Sequence, residues 1–344
     1  MSLAQSGSIS RLLTGPRTLA ERSRRLGAAR LRPLELLPWV AAIAAFFLFP
    51  EDLAFATSIL VTILFVLSLD LILGYAGIIS MGHALFFGLG AYAAGLLAMA
   101  GWQEPITGVL FATAIAGIAA FVTGLLVVRL RELPLIMVTL ALGVIGFEAA
   151  NKMTWLTHGD DGLVGIELKP ILGHFEWSFY SDTAYLYVLA WLFIAFVLLR
   201  RLVASPFGLA LQGIRENRRR MALLGAPVNG HLMRAYVIGG AFAGMAGALS
   251  AQSAKFVSLS SLSIDTSISA VVMLVVGGVG RLYGAFLGTI VYMVVQHEAA
   301  QLNPYHWMFA IGTMLVLIVM FARGGLLGLA DDLVRRWRGK GGER

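Results

Sequence analysis

Apolar residues run along this chain in blocks rather than in stripes. They fill residues 34–49, 54–73, 84–100, 106–128, 134–150, 184–199, 235–252, 266–280, 284–300 and 306–322, and the polar residues collect in the gaps. A helix needs about 20 apolar residues to cross about 30 Å of hydrocarbon, so each block is near spanning length, and the shorter ones suit tilted or broken spans. The pattern predicts an all-α polytopic membrane protein with about ten transmembrane helices over 34–322.

Charge placement gives the threading an orientation. With ten spans and an inner N-terminus, Arg129, Arg131, Arg200, Arg201, Arg215, Arg218, Arg219, Arg220, Arg234, Arg281 and Arg323 fall inside, while Lys152, Lys169 and Lys255 fall outside. The leader, residues 1–33, holds Arg11, Arg17, Arg22, Arg24, Arg25, Arg30 and Arg32 against Glu21 and reads as a disordered basic cytoplasmic arm touching lipid phosphates. Residues 323–344 read as a basic cytoplasmic tail. Acids gather on the outer side, among them Glu51, Asp52, Glu104, Asp160, Asp161, Glu167 and Glu176.

Composition agrees. The chain is 58% hydrophobic and 13% charged, with no cysteine and a mean hydropathy of +0.82, which excludes a soluble domain, disulfides, thiolate metal sites and thiol catalysis. The net charge of +7 lies on inner loops and ends, so it speaks for lipid rather than nucleic acid. The longest outer loop, 151–183, carries THGDDGLVGIELKP. Asp160 and Asp161 lack further oxygen ligands at regular spacing, so they read as a solvated turn and no metal site is expected.

Glycine placement marks two special stretches. In DLILGYAGIISMGHALFFGLGAYAAG, glycines 74, 77, 82, 88 and 90 interrupt a membrane helix around Ser80 and His83. Unwound backbone at membrane depth must face protein or a cavity, and broken helices commonly flank a transporter's solute path. Asp70 is the costliest ionisable group of the spans, and its expected partners are Ser80, His83, a helix N-terminus or the headgroups. The second stretch, GGVGRLYGAFLG over 277–288, turns tightly at Arg281. Gly284 with Gly288, and Gly240 with Gly244, form small-xxx-small packing faces. The rhyme between GHALFFGLGAY and GRLYGAFLGTIVY suggests a five-plus-five inverted repeat.

One long basic stretch, 200–234, lies between apolar blocks. Ser205 can cap a helix, Pro206 suits its first turn, Gly225 can close it and Pro227 stops it, which predicts one rigid rod ending near Leu224. Its amphipathic second half fits two roles: an interfacial helix holding anionic headgroups, or a docking helix for a cytosolic partner. Enzyme motifs are absent: HEAAQ at 297–301 lacks the second histidine of a zincin, and neither a G-x-S-x-G elbow nor a phosphate loop occurs.

Several motifs in fixed order carry a resemblance. GYAGIISMGHALFFGLGAYAAG, GDDGLVGI, SPFGLALQGIRENRRRMALLGAPV, AYVIGGAFAGMAGAL, VVGGVGRLYGAFLG and FARGGLLGL resemble the membrane permeases of ABC importers for branched-chain amino acids, from about Asp70 to Leu329. The resemblance implies a subunit of the bacterial inner membrane, and the charge threading puts both termini on the cytoplasmic side. Its partners would be a second homologous permease, two cytosolic ATPases and a periplasmic solute-binding protein. ATP would be bound by the partners, with no cofactor on this chain. RENRRRMALLGAPV matches the family's coupling helix, which makes Arg215, Glu216, Asn217, Met221, Ala222, Leu224 and Gly225 the expected ATPase contacts. The triple arginine 218–220 departs from the smaller or acidic residues expected there. Asp70, Tyr75, Ser80, His83, Phe87 and Tyr92 are the expected translocation-path residues. The solute stays open among branched-chain amino acids, urea, short amides and aromatic acids. An ion-coupled secondary transporter is the competing reading.

Overall fold

The computed structural model describes residues 37–170, 182–303, 306–321 and 324–329. The basic arm over 1–33, the part of the outer loop over 171–181 with Glu176, and the tail beyond 329 lie outside the described residues. The chain divides into one unit through Ala44 and a second from Ala45 onward. The first includes the start of α1 (Leu37–Leu48); all that follows belongs to the second.

Each apolar block of the sequence is a helix. After α1 come α2 (Leu53–Leu69), α3 (Ala84–Met99), α4 (Pro105–Val127), α5 (Glu132–Lys152) and α6 (Asp182–Ala204). Two short helices follow, α7 (Pro206–Glu216) and α8 (Arg218–Leu223), then α9 (Val228–Ala254), α10 (Ile264–Gly277), α11 (Leu282–Leu302) and α12 (Trp307–Phe321). Length separates them. Among the described residues five helices are long and apolar enough to cross a membrane: 53–75, 105–127, 132–152, 182–204 and 228–254. The α10–α11 pair makes a sixth if taken as one span, but it bends by 113° at its break. α1, α3 and α12 are shorter apolar helices. The count supported by length is therefore five or six rather than ten, because apolar blocks separated by glycine-rich breaks read alike whether or not each crosses. The five-plus-five repeat stays a sequence-level expectation.

α9 is the central helix, packed most extensively on α4 and α3 and then on α2. Its small residues make this possible. A Cβ on Gly244 would overlap the Cβ of Ala116 in α4, and one on Gly90 of α3 would overlap the Gly244 carbonyl. In lipid, where no hydrophobic force holds helices together, such backbone approach supplies the packing energy. Gly240 of α9 faces Ala120 of α4, while Gly284 and Gly288 of α11 lie against Gly277 and Gly278 and the Met273 carbonyl. Gly244→Val should force α3, α4 and α9 apart at an overpacking cost of about 1–3 kcal/mol. Thermal unfolding followed by size-exclusion chromatography should show this, with Gly312→Ser, where nothing lies within 4 Å, unchanged.

The first glycine stretch breaks the helix over a narrower range than expected. α2 widens into a π turn over Asp70–Tyr75, and α3 begins at Ala84. Gly88 and Gly90 lie inside α3 and admit Leu262 and Gly244 instead of interrupting it. Only residues 76–83 are unwound.

Turns that charge placement puts on one side also meet in space. At one end the backbone N–H of Lys169 donates to the Gln103 carbonyl (3.0 Å), Gln252 donates to the Pro105 carbonyl (2.9 Å), and strand β1 (Leu163–Val164) pairs antiparallel with β2 (Phe256–Val257), Leu163 opposite Val257. At the other end, residues 70–77, 130, 215–218 and 278–281 come together. Asp160 and Asp161 form an exposed 3₁₀ turn at the first end.

Candidate functional site

The unwound stretch is held by hydroxyls from neighbouring helices. The backbone N–H of Met81 donates to Thr139 Oγ1 of α5 (3.2 Å), and that of Ala84 donates to Ser267 Oγ of α10 (2.9 Å). Thr139 lies about 10 Å along the axis of α5 from its first residue, so the break runs into the bundle rather than over its surface. Both hydroxyl residues are about 1% exposed, which is how non-helical backbone survives at such depth. Inside the loop's curve, His83 Nε2 and Ser68 Oγ share a hydrogen bond of 2.8 Å, and the imidazole stacks on Phe65 with centroids 5.3 Å apart.

Asp70 bonds to none of Ser80, His83 or a helix N-terminus but to a turn far away in sequence. Its Oδ1 accepts the backbone N–H of Gly280 (2.7 Å), in the turn that separates α10 from α11. The carboxylate is wholly buried, and its Oδ2 has no hydrogen-bond partner among the described residues. The two glycine-rich breaks thus touch, and the glycines are the reason. A Cβ on Gly74 would overlap Asp70 Oδ1 and stand 2.7 Å from the Gly280 nitrogen. Gly280 itself has φ +80°, a left-handed conformation that costs other residues about 1–2 kcal/mol.

Arg215 joins both breaks to the basic segment. Its guanidinium donates to the Gly74 carbonyl, its side-chain stem lies under Gly77, and its Nη1 is 2.9 Å from where a Cβ on Gly280 would stand. A positive charge therefore sits where the buried carboxylate holds the second break, which offsets part of the cost of that carboxylate. Arg215, an expected ATPase contact, stays exposed along part of its length while its guanidinium turns in toward the breaks.

The basic segment is two helices rather than one rod. Asn217 leaves the helical region (φ −158°, ψ 99°), and its side chain accepts the Arg220 backbone N–H (2.9 Å), which caps α8. Asparagine prefers that capping role over helix interior, and the sequence expectation misses it because Ser205 already supplies one start signal. Ser205 makes no cap bond; its hydroxyl donates to the Leu202 carbonyl (2.6 Å). Met221 folds α8 back over Gly213, and Gly225, at φ +81°, ends the segment as predicted. This geometry leaves Glu216, Ala222, Leu223 and Leu224 exposed, with Leu223 at 90% and Leu224 at 74%. Leu223 is not among the expected contacts, although a leucine beside Leu224 in an otherwise basic stretch is a signal. Of the three arginines, Arg218 reaches toward the Leu130 carbonyl (3.5 Å). Burial, then the charge of Arg131, pushes it down from its ordinary value, and Arg219 and Arg220 stay exposed.

The expected path residues are all buried: Asp70, Ser80 and His83 completely, Tyr75, Tyr92 and Phe87 to within 9%. Phe87 alone of the six lines the large cavity of about 570 Å³ between α2, α3, α10, α11 and α12. No cluster of three or more metal-ligating side chains occurs among the described residues.

The family described as branched-chain amino acid transport system / permease component matches residues 53–320. The chain belongs to that family. It is 29% identical over 298 residues to the high-affinity branched-chain amino acid transport system permease protein LivM of Escherichia coli strain K12, covering 79% of this chain and 69% of the relative. The Salmonella typhimurium LivM is 28% identical over the same shares. A probable branched-chain amino acid transport permease protein LivM of Methanocaldococcus jannaschii is 27% identical over 72% of this chain and 80% of its own. No solved structure is significantly similar. The region matched to the permease family contains both breaks, Arg215, the exposed leucines and Phe87.

Proposed function

We propose that this permease is the membrane subunit of an ATP-driven importer of the bacterial inner membrane, taking branched-chain amino acids from a periplasmic binding protein, with a second permease and two ATPases as separate chains. The observation that carries the reading is the path from surface to interior at Arg215. An exposed apolar tip, Leu223 and Leu224, lies at the end of α8, and Arg215 of α7 is bonded to Gly74 at the first break, which the Asp70–Gly280 bond ties to the second. Force applied at the tip has a short route, from α8 to α7 through the packing of Met221 on Gly213 and then through Arg215, to segments that can hinge without breaking helix hydrogen bonds. A secondary transporter has no use for such a tip.

The orientation follows the same logic. Turns carrying the inner arginines meet at one end and turns carrying Lys152, Lys169 and Lys255 at the other, which supports a cytoplasmic face at Arg215 and an outer face at the β1–β2 pairing.

The testing experiment is purification of the complex in mild detergent from cells expressing the neighbouring transport genes. Recovery of an ATPase and a second permease, with ATP-dependent leucine uptake in proteoliposomes, supports the assignment; uptake by this chain alone on an ion gradient overturns it. In the same preparation Leu224→Arg should lower ATPase recovery and uptake at least tenfold, because an interfacial leucine is exchanged for a charge that must be desolvated. The permease itself should remain intact, since Leu224 stands exposed and outside the packed core.

A further inference from the structure

We infer that the 570 Å³ cavity between α2, α3, α10, α11 and α12 is a solute subsite for an α-amino acid, with Asp265 receiving the ammonium group. The inference deepens the proposed import function and rests on it. The volume falls in the range typical of small-molecule sites. Its lining mixes two chemistries. Phe65, Phe87, Met273 and Ile311, each buried, supply apolar surface that suits an aliphatic side chain. Thr62, Ser269, Tyr292 and Gln296 add polar groups, and Ser260, Ser263 and Thr266 form a rim of hydroxyls already bonded among themselves. Thr266 Oγ1 donates to the Ser260 carbonyl (2.9 Å) and lies 3.1 Å from Ser263 Oγ.

Asp265 stands on that rim and is the only charged side chain lining the cavity among the described residues. It has no hydrogen bond or ion pair among them, and it is exposed. Its neighbours on the rim are tied by a fixed network, so the carboxylate is presented without competition. Position in the first turn of α10 lets an acid complement the helix dipole, and that role alone makes no demand on what fills the cavity. The pairing of one anion with apolar surface in the same cavity does: it matches a cationic amine on an aliphatic solute, with the Gln296 amide on the wall left to donate to the solute's carboxylate, and it gives no advantage to urea or an amide. The rim also lies beside the Phe256–Val257 strand, at the end of the molecule assigned to the outer face, where a binding protein would release its cargo.

The absence of native cysteine makes the test direct. Ser269→Cys, on the cavity wall, places one thiol in this chain. Its maleimide labelling is followed in the reconstituted complex with free leucine, with 2-hydroxy-4-methylpentanoate, which keeps the carboxylate and side chain but lacks the amine, and with urea. Leucine should slow labelling at least fivefold and the other two less than twofold. Asp265→Asn should abolish leucine's protection, whereas a helix-capping role would change stability and leave the selectivity alone. Ile268→Cys is a second reporter on the same wall if Ser269→Cys assembles poorly. Equal protection by the hydroxy acid, protection that survives Asp265→Asn, or no protection in a complex that imports leucine each overturns the assignment. A wild-type complex that imports no α-amino acid sinks the transport reading first, and this site with it.

Discussion

Arg215→Ala is expected to uncouple the permease: leucine uptake by the reconstituted complex should fall at least tenfold, while the ATPase stays bound and hydrolyses ATP at a rate that loaded binding protein no longer raises. Arg215 reaches both breaks from α7, through the Gly74 carbonyl and the approach to Gly280. Hydrogen bonds to charged groups contribute about 1.5–3 kcal/mol, and the partial exposure of the side chain places this one at the lower end. The larger consequence is mechanical, because without the guanidinium α7 can move while 76–83 and 278–281 stay still. The residues proposed to dock the ATPase are untouched, since Leu223 and Leu224 lie on and just beyond α8. Arg215→Lys, which keeps the charge but not the fork, should recover part of the uptake.

The same variant reports on Asp70. A buried carboxylate whose neighbouring cation is removed becomes an uncompensated charge, so Asp70→Asn should harm the Arg215→Ala protein less than the wild type. The amide oxygen introduced by that substitution would still accept the Gly280 N–H. A double-mutant cycle in uptake and thermal stability reads this coupling. Additive effects, with wild-type stimulation of ATP hydrolysis in Arg215→Ala, would show that the basic segment and the breaks work independently.

Hydropathy made the helices legible because the bilayer asks one thing of a spanning segment, and every apolar block of the chain is a helix. It could not say which blocks cross alone. The bend of 113° between α10 and α11 depends on Gly278 and Gly280 taking positive φ, and glycine in an apolar run is equally compatible with close packing, as Gly88 and Gly90 show. The break near Asn217 was open to a reader of caps, since asparagine three residues before the Arg220 N–H is a start signal; an amphipathic pattern that continued across it hid the interruption. Asp70's partner was out of reach for a different reason. A carboxylate in a span must be satisfied, but its acceptor role was met 210 residues away, and periodicity carries no information across that distance. Gly225 and the inward-facing hydroxyls follow from local chemistry, so the segment's end and the need to satisfy broken backbone were readable. The cavity at Asp265 was not, because five helices and a turn build it together.

Gly74→Ala is the smallest change with the largest predicted loss. Gly74 lies in the π turn with ordinary helical dihedrals, so alanine is acceptable to the backbone and the effect is purely one of space. The new methyl would occupy the position of Asp70 Oδ1 and crowd the Gly280 nitrogen at 2.7 Å. The Asp70 carboxylate must rotate away, and the Gly280 nitrogen, backbone in a tight loop, has little room to shift. The Asp70–Gly280 bond must break, which leaves a buried carboxylate and a buried N–H without each other, a loss of about 3–5 kcal/mol by analogy with broken buried pairs. The expected result is a sharp fall in folded, monodisperse permease, and in what remains, loss of uptake as complete as that of Arg215→Ala. Gly230→Ala, at the start of α9 on the same side, meets nothing nearer than 4.0 Å and should behave as wild type. Asp70→Ala combined with Gly74→Ala removes the charge and the overlap with Oδ1 while the contact with the Gly280 nitrogen stays, so it should restore folding in part without restoring uptake. That separation of folding from transport is the outcome a merely structural contact between the two breaks would not produce.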